Sequence, residues 1–213
     1  MADNYLGRKM EEYMAQSCSA KNSKTQVTLA KLLERNRSYR GYDSSFIVRD
    51  DQLRRIIEVN TKIPSARNQQ VLRFRAVNHT EADKVLPHIG LGGALPELHL
   101  PFPGTEPNAF IIICSTVEET KFVSVDLGIS AQSMLLQATE IGLNGIMIGA
   151  CDKERLQEEL QLPYRPLLVI AIGRGNEQIR LVEIGAEESH SYYRDEAGVH
   201  YVPKVRLEDL IIG

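Results

Sequence analysis

Cysteine is scarce and tryptophan is missing. Cys18, Cys114 and Cys151 lie far apart and are odd in number, with no Cys-x-x-Cys pair and no Cys/His spacing of a zinc site. That excludes a disulfide framework as the organising device and predicts reduced thiols, as in a cytoplasmic protein. No apolar run approaches the length of a membrane span. The first residues carry Asp3, Arg8, Lys9, Glu11 and Glu12, which is not the pattern of a secretory signal. Charge is nearly balanced at −3, so there is no global footprint for nucleic acid or an anionic membrane surface. The five histidines show no ligand spacing, so no metal site is expected, and no Gly-x-Ser-x-Gly elbow is present. What remains is a 213-residue chain, 43% hydrophobic, long enough for one domain with a substantial core.

Against that balanced background one stretch is locally basic. From Lys31 to Arg40 four cations (Lys31, Arg35, Arg37, Arg40) face the single anion Glu34. Guanidiniums so close together, with the Ser38 hydroxyl between two of them, suit a phosphate, because arginine offers a planar fork of donors that stays charged when desolvated. The plainer reading is a solvated basic helix end, favoured by the helix dipole; spacing alone weighs the two equally.

Periodicity orders the rest. Residues 4–15 read as a short amphipathic helix and 17–24 as a polar linker, so 1–24 is expected to be an arm and linker ahead of a domain over 25–213. Thr25 is a plausible cap for a helix starting at Val27, and Asp50 or Asp51 for a helix burying Leu53, Ile56, Ile57 and Asn60 and ended by Pro64. Arg73–Asn78 alternates as a strand, 81–88 reads as a short helix, and Gly90–Pro107 as a loop. Gly90-Leu91-Gly92-Gly93 is no dinucleotide fingerprint, since no strand precedes it and no helix follows in place. Ala109–Cys114 and Leu167–Ile172 are buried strands. Phe122–Ile141 is a helix apolar nearly all round, predicting burial at a subunit interface or within its own chain. Asp152 caps a helix to about Leu160, and Ile179–Ile184 forms another extended piece. The apolar end of the Tyr192–Gly213 tail is expected to wrap over a neighbour.

Pro64-Ser65-Ala66-Arg67-Asn68-Gln69-Gln70 supplies small residues, amides and a hydroxyl. Together with Arg37-Ser38-Tyr39-Arg40, in this order and separation, it resembles the nitroreductase family of flavoproteins: Arg-Ser-x-Arg as the phosphate motif, Pro-Ser-x-x-Asn-x-Gln as the flavin loop. The resemblance runs on through Gly142-Leu143 and Ile148-Gly149 to the tail.

It implies an α+β fold with a mixed, mainly antiparallel sheet flanked by helices, in an intertwined homodimer with FMN sites at the subunit interface. It implies FMN as cofactor, NAD(P)H as co-substrate, and a ping-pong oxidoreductase acting on nitroaromatics, quinones or similar small acceptors. Hydride transfer is then carried by the flavin, and no side chain need be catalytic. Arg37, Ser38 and Arg40 would take the phosphate, completed by a late basic residue among Arg174, Lys204 and Arg206. Asn68 would face the polar edge of the ring, and Ser65 and Ala66 the partner's flavin. Gln70 follows the motif, with a purely structural role about equally open. Met147, Ile148 and Gly149 would lie against the ring, Gly149 allowing close approach and offering its N–H to the flavin N5.

The sequence departs from the family at Asn36, where many relatives have arginine, and at Val71, where an aromatic often follows the loop. Those departures leave open a non-catalytic flavin-binding protein for storage or sensing. Reductive dehalogenation or flavin fragmentation ranks last, because Gly90–Pro107 is short for an enclosing lid.

Overall fold

The computed structural model describes residues 7–10, 27–93 and 95–213. The expected N-terminal arm, its linker, Cys18 and the Thr25 cap therefore lie outside the described residues, apart from a helical turn at 7–10.

The core is a four-stranded sheet in the order β1-β2-β4-β3, with β1 Leu72–Val77, β2 Ala109–Ser115, β3 Asn144–Ile148 and β4 Arg165–Gly173. All its pairings are antiparallel. The central strands β2 and β4 are apolar and almost wholly buried, as expected of strands covered on both faces. Because side chains alternate along a strand, β2 feeds two cores. Phe110, Ile112 and Cys114 join Tyr42, Ile146, Ile148, Leu156 and Val169 on one face. Ala109, Ile111 and Ile113 join Leu53, Ile56, Ala131, Met134 and Leu135 on the other. Truncating a fully buried side chain here, such as Ile112→Ala, is expected to cost about 2–5 kcal/mol.

Two helices cover the second face. α2, Asp50–Glu58, buries Leu53 and Ile56 and leaves Arg54, Arg55 and Glu58 wet. Its cap is Arg49, not Asp50 or Asp51. The Arg49 backbone is extended and its N–H donates to Gln52 Oε1 (3.1 Å), while the two aspartates occupy the first turn, where the helix dipole favours them. The helix stops before Pro64, passing into a 3₁₀ turn at Val59–Thr61. α3, Lys121–Glu140, is capped by Thr120 and buries Val123, Ala131, Met134, Leu135 and Ala138 within its own chain. Phe122 and Val125, on its outer side, are about half exposed. α4, Lys153–Glu159, starts at the expected cap, with Asp152 Oδ1 accepting from Arg155 N (3.0 Å), and packs Leu156 on the first face.

Two other expectations are corrected. α1, Leu29–Arg35, is capped by Thr28 and fully buries no residue, leaving Leu29 and Leu33 exposed. Residues 81–88 form two 3₁₀ turns, Ala82–Lys84 and Leu86–His88, in place of one helix. The mixed, mainly antiparallel α+β fold is as expected, with its parallel strand pairing in a smaller sheet. That pairing joins β5 (Ile179–Ile184) to β7 (His200–Val205), and β6 (Tyr193–Arg194) pairs antiparallel with β7. A last turn, α5, Leu207–Leu210, leaves Leu207, Leu210, Ile211 and Ile212 exposed. No helix of the described residues is long and apolar enough to cross a membrane.

Candidate functional site

The basic stretch leaves α1 and runs in extended form along the end of the central sheet. Ser38 bridges in parallel to Gly145 on β3, and Tyr39 N donates to Gly145 O (3.2 Å). Two tyrosines pin the stretch from below. Tyr42 is fully buried and its hydroxyl donates to Tyr39 O (2.9 Å). A Cβ at Gly173 or Gly175 would overlap the Tyr42 or Tyr39 ring, so glycine at both positions makes room for the pair.

Held this way, the stretch meets β7. Along β7, His200, Val202 and Lys204 fall at every second position and share one face. They close a pocket of about 260 Å³ with Asn36, Arg37, Ser38, Arg40, Ile179 and Tyr192. Arg37 Nη2 donates to Leu33 O (2.5 Å), and burial lowers its pKa from the usual arginine value. Arg40 is buried. Its Nη1 donates to Ser38 O (3.1 Å) and stands 3.5 Å from His200 Nε2, with the guanidinium over the Tyr192 ring at 4.8 Å. Behind the pocket the buried Glu177 carboxylate accepts from Arg40 N and pairs with Arg194. His200 is 1% exposed. Burial, then Arg40 and Arg194, push its pKa down to about 4 against the opposing pull of Glu177, so the imidazole is neutral near pH 7.

The pocket lining carries Arg37, Arg40 and Lys204 and no carboxylate. Arg37 Nε, Arg40 Nε and His200 Nδ1 are buried without a hydrogen-bond partner among the described residues. Buried polar groups in folded proteins are normally paired, so a cationic pocket whose lining residues carry orphan donors suits an anion with several acceptor oxygens.

Of the three late basic candidates, only Lys204 lines this pocket. β7 ends at Val205, and Arg206 turns away to bond Asp209 (Nε to Oδ2, 3.0 Å) at the start of α5. Arg174 lies over the Phe46 ring (4.0 Å), with Asp43 at 3.9 Å. Neither is placed to complete the pocket within this chain.

The 64–70 loop is built differently. Asp126 on α3, 5% exposed, gathers it by accepting from Ser65 Oγ, Ala66 N and Gln69 Nε2, each at 2.8 Å. Burial alone would raise the Asp126 pKa; the hydrogen bonds from Gln69, Ala66 and Ser65 outweigh it and hold the group below 3.8. Gln70 N donates to Ser65 Oγ (3.0 Å) and Gln70 Nε2 to Asn68 Oδ1 (2.9 Å). Arg67, Asn68 and Gln70 adopt positive φ (53°, 52° and 46°), strained for non-glycine residues and least so for Asn. Ser65 and Gln70 border a second cavity, of about 560 Å³, with Pro64, Asp126 and Ser130. None of residues 64–70 lines the basic pocket, so one chain does not bring the two motifs into a common cavity.

The 147–149 segment leaves the far end of β3. Met147 and Gly149 are exposed, and a Cβ at Gly149 would meet nothing within 4 Å. The Ile148 side chain belongs to the core, which leaves only its backbone available to a ligand. Nearby Cys151 is half-buried, with its thiol pKa raised first by burial; Cys114 is pushed up to about 11 by burial, so neither is tuned as a nucleophile. Among the described residues no acidic, histidine or cysteine cluster could hold a metal ion.

Sequence reasoning missed His200, Tyr192, Glu177, Arg194 and Asp126. His200 was reachable, because it lies two strand positions from Val202 and four from Lys204.

The sequence model of the Nitroreductase family matches residues 95–174, from the loop before β2 to the end of β4. No curated protein matches the chain. Among solved structures, a nitroreductase family protein from Streptococcus pneumoniae aligns at TM-score 0.59 and 16% identity, covering 72% of this chain and 93% of that one. One from Clostridium novyi aligns at 0.58 and 16%, covering 70% and 86%. An FMN-dependent nitroreductase from Clostridium difficile aligns at 0.55 and 22%, covering 70% and 89%. At these identities the structures speak for the fold alone: the chain is similar to the nitroreductase family in sequence over residues 95–174 and shares the fold of its members over about 70% of its length.

Proposed function

We propose that the protein is an FMN-dependent oxidoreductase of nitroreductase type. The observation that carries the reading is the basic pocket, where, among the described residues, Arg37, Arg40 and Lys204 converge without a carboxylate and buried guanidinium donors are unpaired. The phosphate of FMN supplies the missing charge and acceptors, and Ser38 adds a hydroxyl at the rim. The chemistry that bound FMN supplies is hydride transfer from NAD(P)H to nitroaromatics, quinones or similar acceptors, in alternation at one face.

The rest falls to this chain's residues. The arginines and Lys204 fix the phosphate end and so the register of whatever extends from it. Met147, the Ile148 backbone and Gly149 offer an open strand end where a flat ring can lie. The Asp126-anchored loop holds Ser65, Ala66 and Asn68 rigidly on a separate face.

That separation is why a homodimer belongs to the proposal. A loop that cannot reach its own chain's pocket can serve a partner's. The exposed Phe122 and Val125 on α3 and the exposed apolar tail support such an interface. A cytoplasmic location with reduced thiols is part of the same reading.

The test is anaerobic mixing of the FMN-loaded protein with NADH and with NADPH, followed at the flavin absorption band. Rapid bleaching by either nucleotide, reversed by a quinone, is the expected result. A flavin that binds but is not bleached by either would leave a storage or sensing protein instead.

A further inference from the structure

His200 is the most buried residue lining the basic pocket, and its hydrogen-bonding needs are only half met. Arg40 Nη1 lies 3.5 Å from its Nε2, and the Tyr192 ring packs tilted against the imidazole with centroids 5.1 Å apart. A guanidinium can only donate, so this contact requires Nε2 to be an unprotonated acceptor. The single proton of the neutral ring is then on Nδ1. That atom is buried and has no partner among the described residues, while the residue itself lines the pocket.

The charged surroundings favour the same state. Arg40 and Arg194 face the ring, Glu177 is engaged by Arg40 N and by Arg194, and Lys204 lies on the same strand face. A second proton on the ring would set Nε2–H against Arg40 and add a cation to a cationic pocket.

We infer that His200 is a binding residue of this pocket for a phosphate monoester, its Nε2 holding the Arg40 guanidinium in place and its Nδ1–H donating to a phosphoryl oxygen. A neutral donor adds a hydrogen bond without another charge to desolvate, and it ties the ligand to the arginine through one ring. The inference rests on reading the pocket as a phosphate site and extends it to β7, which neither motif includes.

The experiment compares the parent with His200→Phe, which keeps the ring volume and removes both nitrogens, and with His200→Gln, which keeps one acceptor and one donor. Each is titrated with FMN, riboflavin and inorganic phosphate. His200→Phe should weaken FMN by about tenfold or more and abolish phosphate competition. His200→Gln should keep most of the affinity, and riboflavin should bind all three alike. If FMN binds the parent and His200→Phe equally, the role of His200 falls and the flavin reading stands. If FMN fails on the parent while inorganic phosphate binds in a His200-dependent way, the inference stands and the flavin reading falls. Absence of any phosphate binding to the parent overturns both.

Should His200→Phe fail to fold, long-range proton–nitrogen NMR of the parent imidazole decides. The expected result is a neutral Nδ1–H tautomer near pH 7 whose resonance moves on adding inorganic phosphate. An Nε2–H tautomer, or a resonance that does not move, overturns the assignment.

Discussion

The loop at 64–70 and the basic pocket between α1 and β7 are both polar and both rich in hydrogen-bonding groups, yet they are in opposite states. In the loop the donors find acceptors inside the chain: Ser65, Ala66 and Gln69 end on Asp126, and Gln70 ends on Ser65 and Asn68. In the pocket residues, Arg37 Nε, Arg40 Nε and His200 Nδ1 have no partner among the described residues. A self-satisfied turn can be a structural feature and no more. A cationic pocket whose lining residues carry donors unpaired among the described residues favours an anion, which would offset the desolvation of those groups. The pocket, and not the loop, therefore carries the functional claim.

The difference can be broken most forcefully at Asp126. Asp126→Ala strands the donors of Ser65, Ala66 and Gln69 and should cost about 2–4 kcal/mol of stability. For a chain of this size that lowers the melting temperature by roughly 4–16 °C, read by calorimetry. Titration of the folded fraction with inorganic phosphate should show the pocket's phosphate affinity unchanged. A melting point within a degree of the parent would mean that the loop is not held by Asp126.

Arg37→Ala should do the reverse. It removes a charge-assisted contact of about 1.5–3 kcal/mol, so FMN affinity should fall at least tenfold. Riboflavin should bind parent and variant alike. Stability should hold or rise, since the loss is a partly buried cation with no carboxylate ion pair among the described residues. Equal FMN titration curves would remove Arg37 from the phosphate site.

Acid should separate the two regions by pH. The folded pKa of His200, about 4, lies below its usual 6.5, so its neutral form supports folding above about pH 6.5 and that support is lost as pH falls toward 4. Asp126 is held below 3.8, so the loop's contribution persists to about that pH and is lost only beneath it. Melting temperature followed against pH should therefore begin to fall near 6.5. His200→Phe should flatten that first limb and leave the lower one. A parent profile flat down to pH 4 would contradict the buried neutral imidazole.

The smallest expected effect is at Asn68. If it bonds the polar edge of the ring, Asn68→Ala should lower the bound flavin's two-electron potential by roughly 30 mV for each 1.4 kcal/mol of lost preference, with melting unchanged. If it only completes the turn with Gln70, melting falls and the potential stays. Spectrophotometric potential titration beside a thermal melt tells these apart.

How far the sequence could be read follows the range of the interactions involved. Local and periodic features were legible: the apolar runs of β2 and β4, the Asp152 cap of α4, and the basic stretch with its serine. The cap at Arg49 was not, since it depends on Gln52 reaching back and not on the usual capping side chain. Lys204 and Arg206 share a strand parity, and only the end of β7 at Val205 separates the residue in the pocket from the one paired with Asp209. Asp126 could not be found from spacing, because its partners lie some 60 positions away and meet it only in the folded chain. Within α3 it interrupts an apolar pattern, and a carboxylate in such a place is itself a sign of a buried partner.

The central claim is that this chain binds a phosphate through the Arg37–Arg40–Lys204 pocket. The most direct measurement is a paired calorimetric titration of the protein with FMN and with riboflavin, each repeated in excess inorganic phosphate. The expected result is FMN at least tenfold tighter than riboflavin, with phosphate weakening FMN and leaving riboflavin untouched. Equal affinities for the two flavins, insensitive to phosphate, would contradict it.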